Sequence, residues 1–98
     1  MEIKKNLEGN KLEITLVGRL DTTTAPELEE ALSGALDNVN ELVYDFTDLE
    51  YISSAGLRVL LANQKFMSKQ GEMKITNANS SIMEVFEVTG FSNILTIE

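Results

Sequence analysis

Apolar residues change their spacing several times along the chain, and each change marks an element. Ile3, Lys5 and Leu7 alternate with polar neighbours, as do Leu12, Ile14 and Leu16, which is the period of a strand with one buried face. Between them, Glu8-Gly9-Asn10-Lys11 supplies the Gly and Asn that a tight turn with positive φ favours, so the two strands form an antiparallel hairpin. Gly18-Arg-Leu-Asp21 is expected to leave the sheet. Leu42 to Phe46 is a short run, apolar apart from Asp45, with the look of a central strand covered on both faces. Met73 and Ile75 alternate with Glu72 and Lys74, and Ile94, Leu95 and Ile97 close the chain as a last strand.

Helical spacing fills the gaps. Thr24-Ala-Pro-Glu27 reads as a helix start: Thr24 as cap, Glu27 completing a capping box, and Pro26 in the first turn, where a missing N–H costs little. Leu28, Ala31, Leu32, Ala35 and Leu36 follow in one stripe, ended by Asp37-Asn38. A second helix runs from Ser54 to about Gln70, with Gly71 as a left-handed stop. It has two apolar ridges, one of Leu57, Leu60 and Leu61 and one of Val59, Ala62 and Phe66, so it is expected to be the most buried helix. Ser81-Ile-Met-Glu84 is another capping-box pattern and opens a third helix, stopped at Gly90. The order β-β-α-β-α-β-α-β implies an α/β fold, a two-layer sandwich in which a mixed, mostly parallel sheet carries helices joined by right-handed crossovers.

Composition narrows what such a domain does. Its 98 residues include 16 Asp and Glu against 8 Lys and Arg, for a net charge of −8. Binding a phosphate backbone needs clustered cations, so nucleic acid is excluded as a partner, and no apolar run is long enough to insert in a membrane. The charged start, Met1-Glu-Ile-Lys-Lys5, shows no signal peptide, and there is no Cys for disulfides. One domain over residues 1–98, cytoplasmic and a monomer or weak dimer, is the expectation.

Catalytic chemistry is scarce. There is no His, no Gly-x-Ser-x-Gly elbow and no Ser-x-x-Lys, so a serine hydrolase lacks its base, and the protein is expected not to be an enzyme. With neither His nor Cys, and with no Asp-rich calcium loop, no metal site is expected. No Walker loop or Gly-x-Gly-x-x-Gly marks a nucleotide cofactor. What remains is Ser53 and Ser54, where a strand hands over to a helix. A hydroxyl there serves as cap, nucleophile or phosphate acceptor, because a helix N-terminus offers free N–H groups and a positive dipole end.

Tyr51-Ile-Ser-Ser-Ala-Gly-Leu-Arg-Val-Leu-Leu61 resembles the signature of the STAS domain, and in particular of bacterial anti-sigma factor antagonists. Gly18-Arg-Leu-Asp21, Asp45-Phe-Thr-Asp-Leu49, Gly71-Glu-Met-Lys-Ile75 and Val85-Phe-Glu-Val-Thr-Gly-Phe91 match further motifs of that family, in order and over nearly the whole chain. The resemblance implies partner switching. The unphosphorylated protein binds an anti-sigma factor, itself an ATP-dependent serine kinase, and frees the sigma factor. Phosphorylation ends binding, and a serine phosphatase restores it. Ser54 is the implied acceptor, with Ser53 where many relatives have Asp and with Asp21 beside the acceptor loop. The implied partner surface comprises Asp21, Thr22, Thr23, Ser53, Ser54, Ala55, Gly56, Leu57 and Arg58, although the stripe carrying Leu57 is also a core stripe. The same fold also serves as a docking subunit of transporters or signalling assemblies, and in that case Ser54 is only a cap.

Overall fold

The computed structural model describes residues 1–98. In chain order the elements are β1 (Glu2–Glu8), β2 (Lys11–Leu20), α1 (Ala25–Leu32), β3 (Glu41–Asp45), β4 (Leu49–Ile52), α2 (Ser54–Met67), β5 (Glu72–Thr76), α3 (Ser80–Thr89) and β6 (Thr96–Ile97). β1 and β2 form the expected hairpin, with Gly9 at φ +60° in its turn. From β2 the sheet continues in parallel through β3 and β5 to β6. Each crossover steps the same way across the sheet, so right-handed connections place all three helices on one face. That face holds the core: Leu12, Ile14 and Leu16 of β2 are buried, whereas Glu13, Thr15 and Val17 between them are only half-buried.

β3 is therefore covered by helices on one face, not on two. Leu42 and Tyr44, with Phe46 just beyond, point into the core. Val43 is buried on the open face because it lies in register between Glu13 and Lys74, whose methylene stems shelter it. A more consequential difference is β4, a strand absent from the element order that the sequence implies. Leu49 and Ile52 are buried while Glu50 and Tyr51 are exposed, a pattern with no strict alternation to find. β2 accordingly does not leave the sheet at Gly18. From Gly18 (φ +108°) it pairs with β4 in parallel, and the register shifts between Gly18 and Arg19, leaving Glu50 of β4 without a partner.

The helices also shift at their ends. α1 stops at Leu32, ahead of Leu36, and Gly34 turns with φ +75°. Thr24 does not cap it: its hydroxyl donates to the Arg19 carbonyl at 2.7 Å and accepts from the Asp21 N–H at 2.8 Å. α2 ends at Met67, and Gly71 is not a left-handed stop. A side chain at Gly71 would collide with the Asn40 carbonyl, so glycine is needed there for close backbone approach. Asn79, not Ser81, caps α3, and Gly90 (φ +81°) ends it as expected. Of the second ridge on α2, only Val59 is buried. Ala62 is exposed and Phe66 is 42% exposed, because the short α1 leaves a groove beside them instead of covering them.

Candidate functional site

The site is built where β2 and β4 run out together. Ser53 follows β4, and its N–H donates to the Leu20 carbonyl at the end of β2, at 2.9 Å. This bond places the Asp21 loop directly beside the start of α2. Gly56 locks the two together: a Cβ there would lie 2.7 Å from Leu20 Cγ and 2.9 Å from Ile52 Cγ1, closer than real side chains approach. Glycine at this position is a packing requirement.

Asp21 shapes its own loop. Its Oδ1 accepts from the Thr23 N–H at 3.0 Å, the Thr23 hydroxyl at 2.8 Å and the Thr24 N–H at 3.1 Å, which is an Asx-turn with a threonine clamp. These bonds, the Thr23 hydroxyl foremost, hold its carboxyl below the usual carboxylate range despite the opposing effect of desolvation. Asp21 is therefore ionised at neutral pH. Arg19 lies 3.8 Å from Asp21 Oδ2 and stacks 4.2 Å over the Tyr51 ring. Arg19 and Tyr51 were missed from the sequence, because only the β2–β4 register brings them opposite one another. Thr22 is exposed at the tip of the loop.

The two serines differ. Ser53 occupies the N-cap position of α2, in an extended conformation, yet makes no capping bond, and its hydroxyl is buried without a partner. Ser54, the first helical residue, is exposed. The first-turn N–H groups of α2 lack intrahelical acceptors, as in any helix, and here no side chain takes them. Ala55 is half-buried against the core, Gly56 and Leu57 are buried, and Arg58 is exposed one turn beyond Ser54. Of the residues singled out from the sequence, Thr22, Thr23, Ser54 and Arg58 are fully at the surface, Asp21, Ser53 and Ala55 partly so. Gly56 and Leu57 set its shape from below.

This arrangement is an exposed hydroxyl at an uncapped helix start, with Arg58 one turn further along α2 and the ionised Asp21 in the adjoining loop. It has no His or Cys with which to activate a nucleophile. No helix is long and apolar enough to cross a membrane.

A sheet with helices on one face and a hydroxyl loop leading into its second helix defines the class: the chain belongs to the STAS domain family, whose model matches residues 2–98. Among relatives, it is 31% identical to the anti-sigma-B factor antagonist of Listeria monocytogenes over 102 aligned positions, covering 100% of this chain and 87% of that protein. It is 29% identical to the anti-sigma-B factor antagonist of Bacillus subtilis over 98 residues, covering 99% of this chain and 88% of the relative. The fold matches the Bacillus anti-sigma factor antagonist SpoIIAA. Its unphosphorylated form superposes with a TM-score of 0.78 at 18% identity, covering 99% of this chain and 87% of that one. The phosphorylated form of SpoIIAA gives 0.77, again at 18% identity, covering 99% of this chain and 91% of that one.

Proposed function

We propose that this protein is an anti-sigma factor antagonist: unphosphorylated, it binds an anti-sigma factor that is also an ATP-dependent serine kinase and so frees the sigma factor. Phosphorylation of Ser54 by that kinase ends binding, and a serine phosphatase restores it. The observation that carries this is the difference between the two serines. Ser54 stands exposed at the uncapped start of α2, whereas the Ser53 hydroxyl is sealed. The names of the relatives support the general role, and their alignment spans the whole chain.

A phosphoserine adds about −1.5 to −2 charge and three strong acceptor oxygens. On Ser54 that charge meets the positive end of α2, a favourable interaction of about 0.3–1 kcal/mol at an exposed terminus. Arg58, four residues on, is the helical neighbour able to pair with it. The fold is therefore expected to be unchanged, in keeping with the near-equal match to both forms of SpoIIAA. Pressed against a partner, the same dianion faces desolvation and the nearby carboxylates of Asp21, Asp48 and Glu50. A loss of about 3 kcal/mol there is roughly a hundredfold in affinity. The switch thus acts by local electrostatics.

The test is intact-mass spectrometry after incubation with ATP and the anti-sigma-type kinases of the protein's own cell. One added phosphate, abolished in Ser54→Ala and kept in Ser53→Ala, is the expected result. No phosphate with any such kinase, or one that Ser54→Ala retains, overturns the assignment.

A further inference from the structure

Beside the acceptor loop lies a surface that shares only Arg58 with the switch. Between α1, with the turns that follow it, and α2 runs a groove of about 520 Å³. Leu32, Leu36, Val59, Ala62 and Phe66 form its walls, and the side chain of Asn63 reaches its floor. Val59, Ala62 and Phe66 sit at i, i+3 and i+7 on α2, the spacing with which a helix receives a neighbour, yet no element of this chain covers Ala62 or Phe66. Asn63 is only 8% exposed, and its amide donates to the buried Tyr44 hydroxyl at 2.7 Å, so the floor is held rigidly. This is a preformed concavity with an apolar wall and a polar rim, of the size that takes several side chains.

Charge says what fills it. The α1 side presents Glu29 and Asp37, neither of which is in an ion pair, and α1 has no basic residue in its last turn. The single cation lining the groove is Arg58, at the end nearest Ser54. We propose that this groove docks an amphipathic helix of the anti-sigma factor, with its apolar stripe against Val59, Ala62 and Phe66 and a basic flank along Glu29 and Asp37. The helix runs so that an acidic residue meets Arg58. The proposal rests on the function assigned above for the identity of the partner, while the groove and its charges stand independently. Arg58 belongs to both surfaces, so a phosphate on Ser54 that recruits it also withdraws it from the docked helix.

Two measurements test this. The first titrates the ¹⁵N-labelled protein with a peptide of about 18 residues that bears a leucine stripe at helical spacing and a lysine flank, and with its twin carrying glutamates in place of the lysines. Amide shifts confined to the groove-lining stretches of α1 and α2, with binding at least tenfold tighter for the lysine peptide and lost in Ala62→Arg, are expected. Shifts elsewhere, or equal binding of the two peptides, overturn the proposal. Ala62 is exposed, so the arginine reaches the groove without entering the core. The second measures calorimetric binding of the anti-sigma-type kinases of the protein's own cell to the native chain, Ala62→Arg and Ser54→Glu. A loss of tenfold or more in both variants is expected. If Ser54→Glu abolishes binding while Ala62→Arg stays within twofold of native, the groove is not the docking surface and the switch stands. If no kinase binds the native chain, the switch falls, and docking to an anti-sigma factor falls with it.

Discussion

The starts of α2 and α3 lie at opposite ends of the same short strand, β4, and they are finished in opposite ways. Asn79 serves α3 twice: its Oδ1 accepts from the Ile82 N–H at 2.9 Å and its Nδ2 donates to the Leu49 carbonyl at 3.1 Å. One of the free N–H groups at that end is thus taken by a side chain. Ser53 serves α2 with neither bond, its hydroxyl is sealed, and the free N–H groups stand next to an exposed hydroxyl. α2 is held instead from beneath, by Gly56 wedged against Leu20 and Ile52. The α3 end is fixed by a side-chain cap, whereas the α2 end keeps its donors open and takes its rigidity from packing.

Substitutions at the two ends should separate these roles. Gly56→Ala has the largest expected effect. Overpacking costs about 1–3 kcal/mol and outweighs the modest gain in helix propensity within the first turn, for a net loss of about 1–2 kcal/mol. Thermal melting should fall by about 4–8 °C for each kcal/mol in a domain of this size. A melting point at or above the native value would mean that α2 is not held from beneath. Asn79→Ala should cost about 1 kcal/mol in urea unfolding through loss of the cap and of the tie to Leu49. Ser54→Asp should instead stabilise α2, by about 0.3–1 kcal/mol, because it places a negative charge at an uncapped N-terminus. A destabilising Ser54→Asp would show that end to be unsuited to a phosphate. Ser53→Ala should change stability by less than about 0.5 kcal/mol, since it removes a hydroxyl that bonds nothing, whereas a true cap would cost about twice as much.

Acid titration gives the smallest separation. Asp21, beside α2, and Asp45, whose Oδ1 holds Thr47 and reaches Asn77 ahead of α3, both have carboxyls lowered chiefly by a threonine hydroxyl. A depressed folded pKa means that the stability each contributes is complete above the unfolded value of about 3.9 and is lost as pH falls through the folded one. Asp21→Asn and Asp45→Asn should therefore each flatten the loss of stability below about pH 4 and leave the slope near pH 7 untouched. A changed slope at neutral pH would show that other groups titrate with folding.

Much of this was legible in the chain, and what was not has a common cause. The hairpin, the parallel strands at Leu42 and Met73, the three helices and the stop at Gly90 follow from local spacing and turn chemistry, which the backbone obeys wherever it is placed. The serine pair was visible as a strand-to-helix junction for the same reason. β4 was not, because its buried residues do not alternate, and its existence depends on the second half of a ten-residue β2 that it pairs with. Arg19 over Tyr51 depends in turn on that pairing. Gly71 was read as a stop because glycine after a helix usually is one, whereas here the constraint is Asn40, distant in sequence. Ala62 and Phe66 were placed in the core because periodicity reports that a residue is apolar, not whether a neighbour arrives to cover it.

The sequence by itself determined the class of fold, the junction that carries the site and the absence of a histidine or cysteine nucleophile, because periodicity and composition are properties of the chain alone. Which serine faces solvent, which helix end stays uncapped and where an apolar ridge is left open were decided only by the tertiary structure. Each depends on how closely segments far apart in the chain approach one another, and packing distance is not written in any one of them.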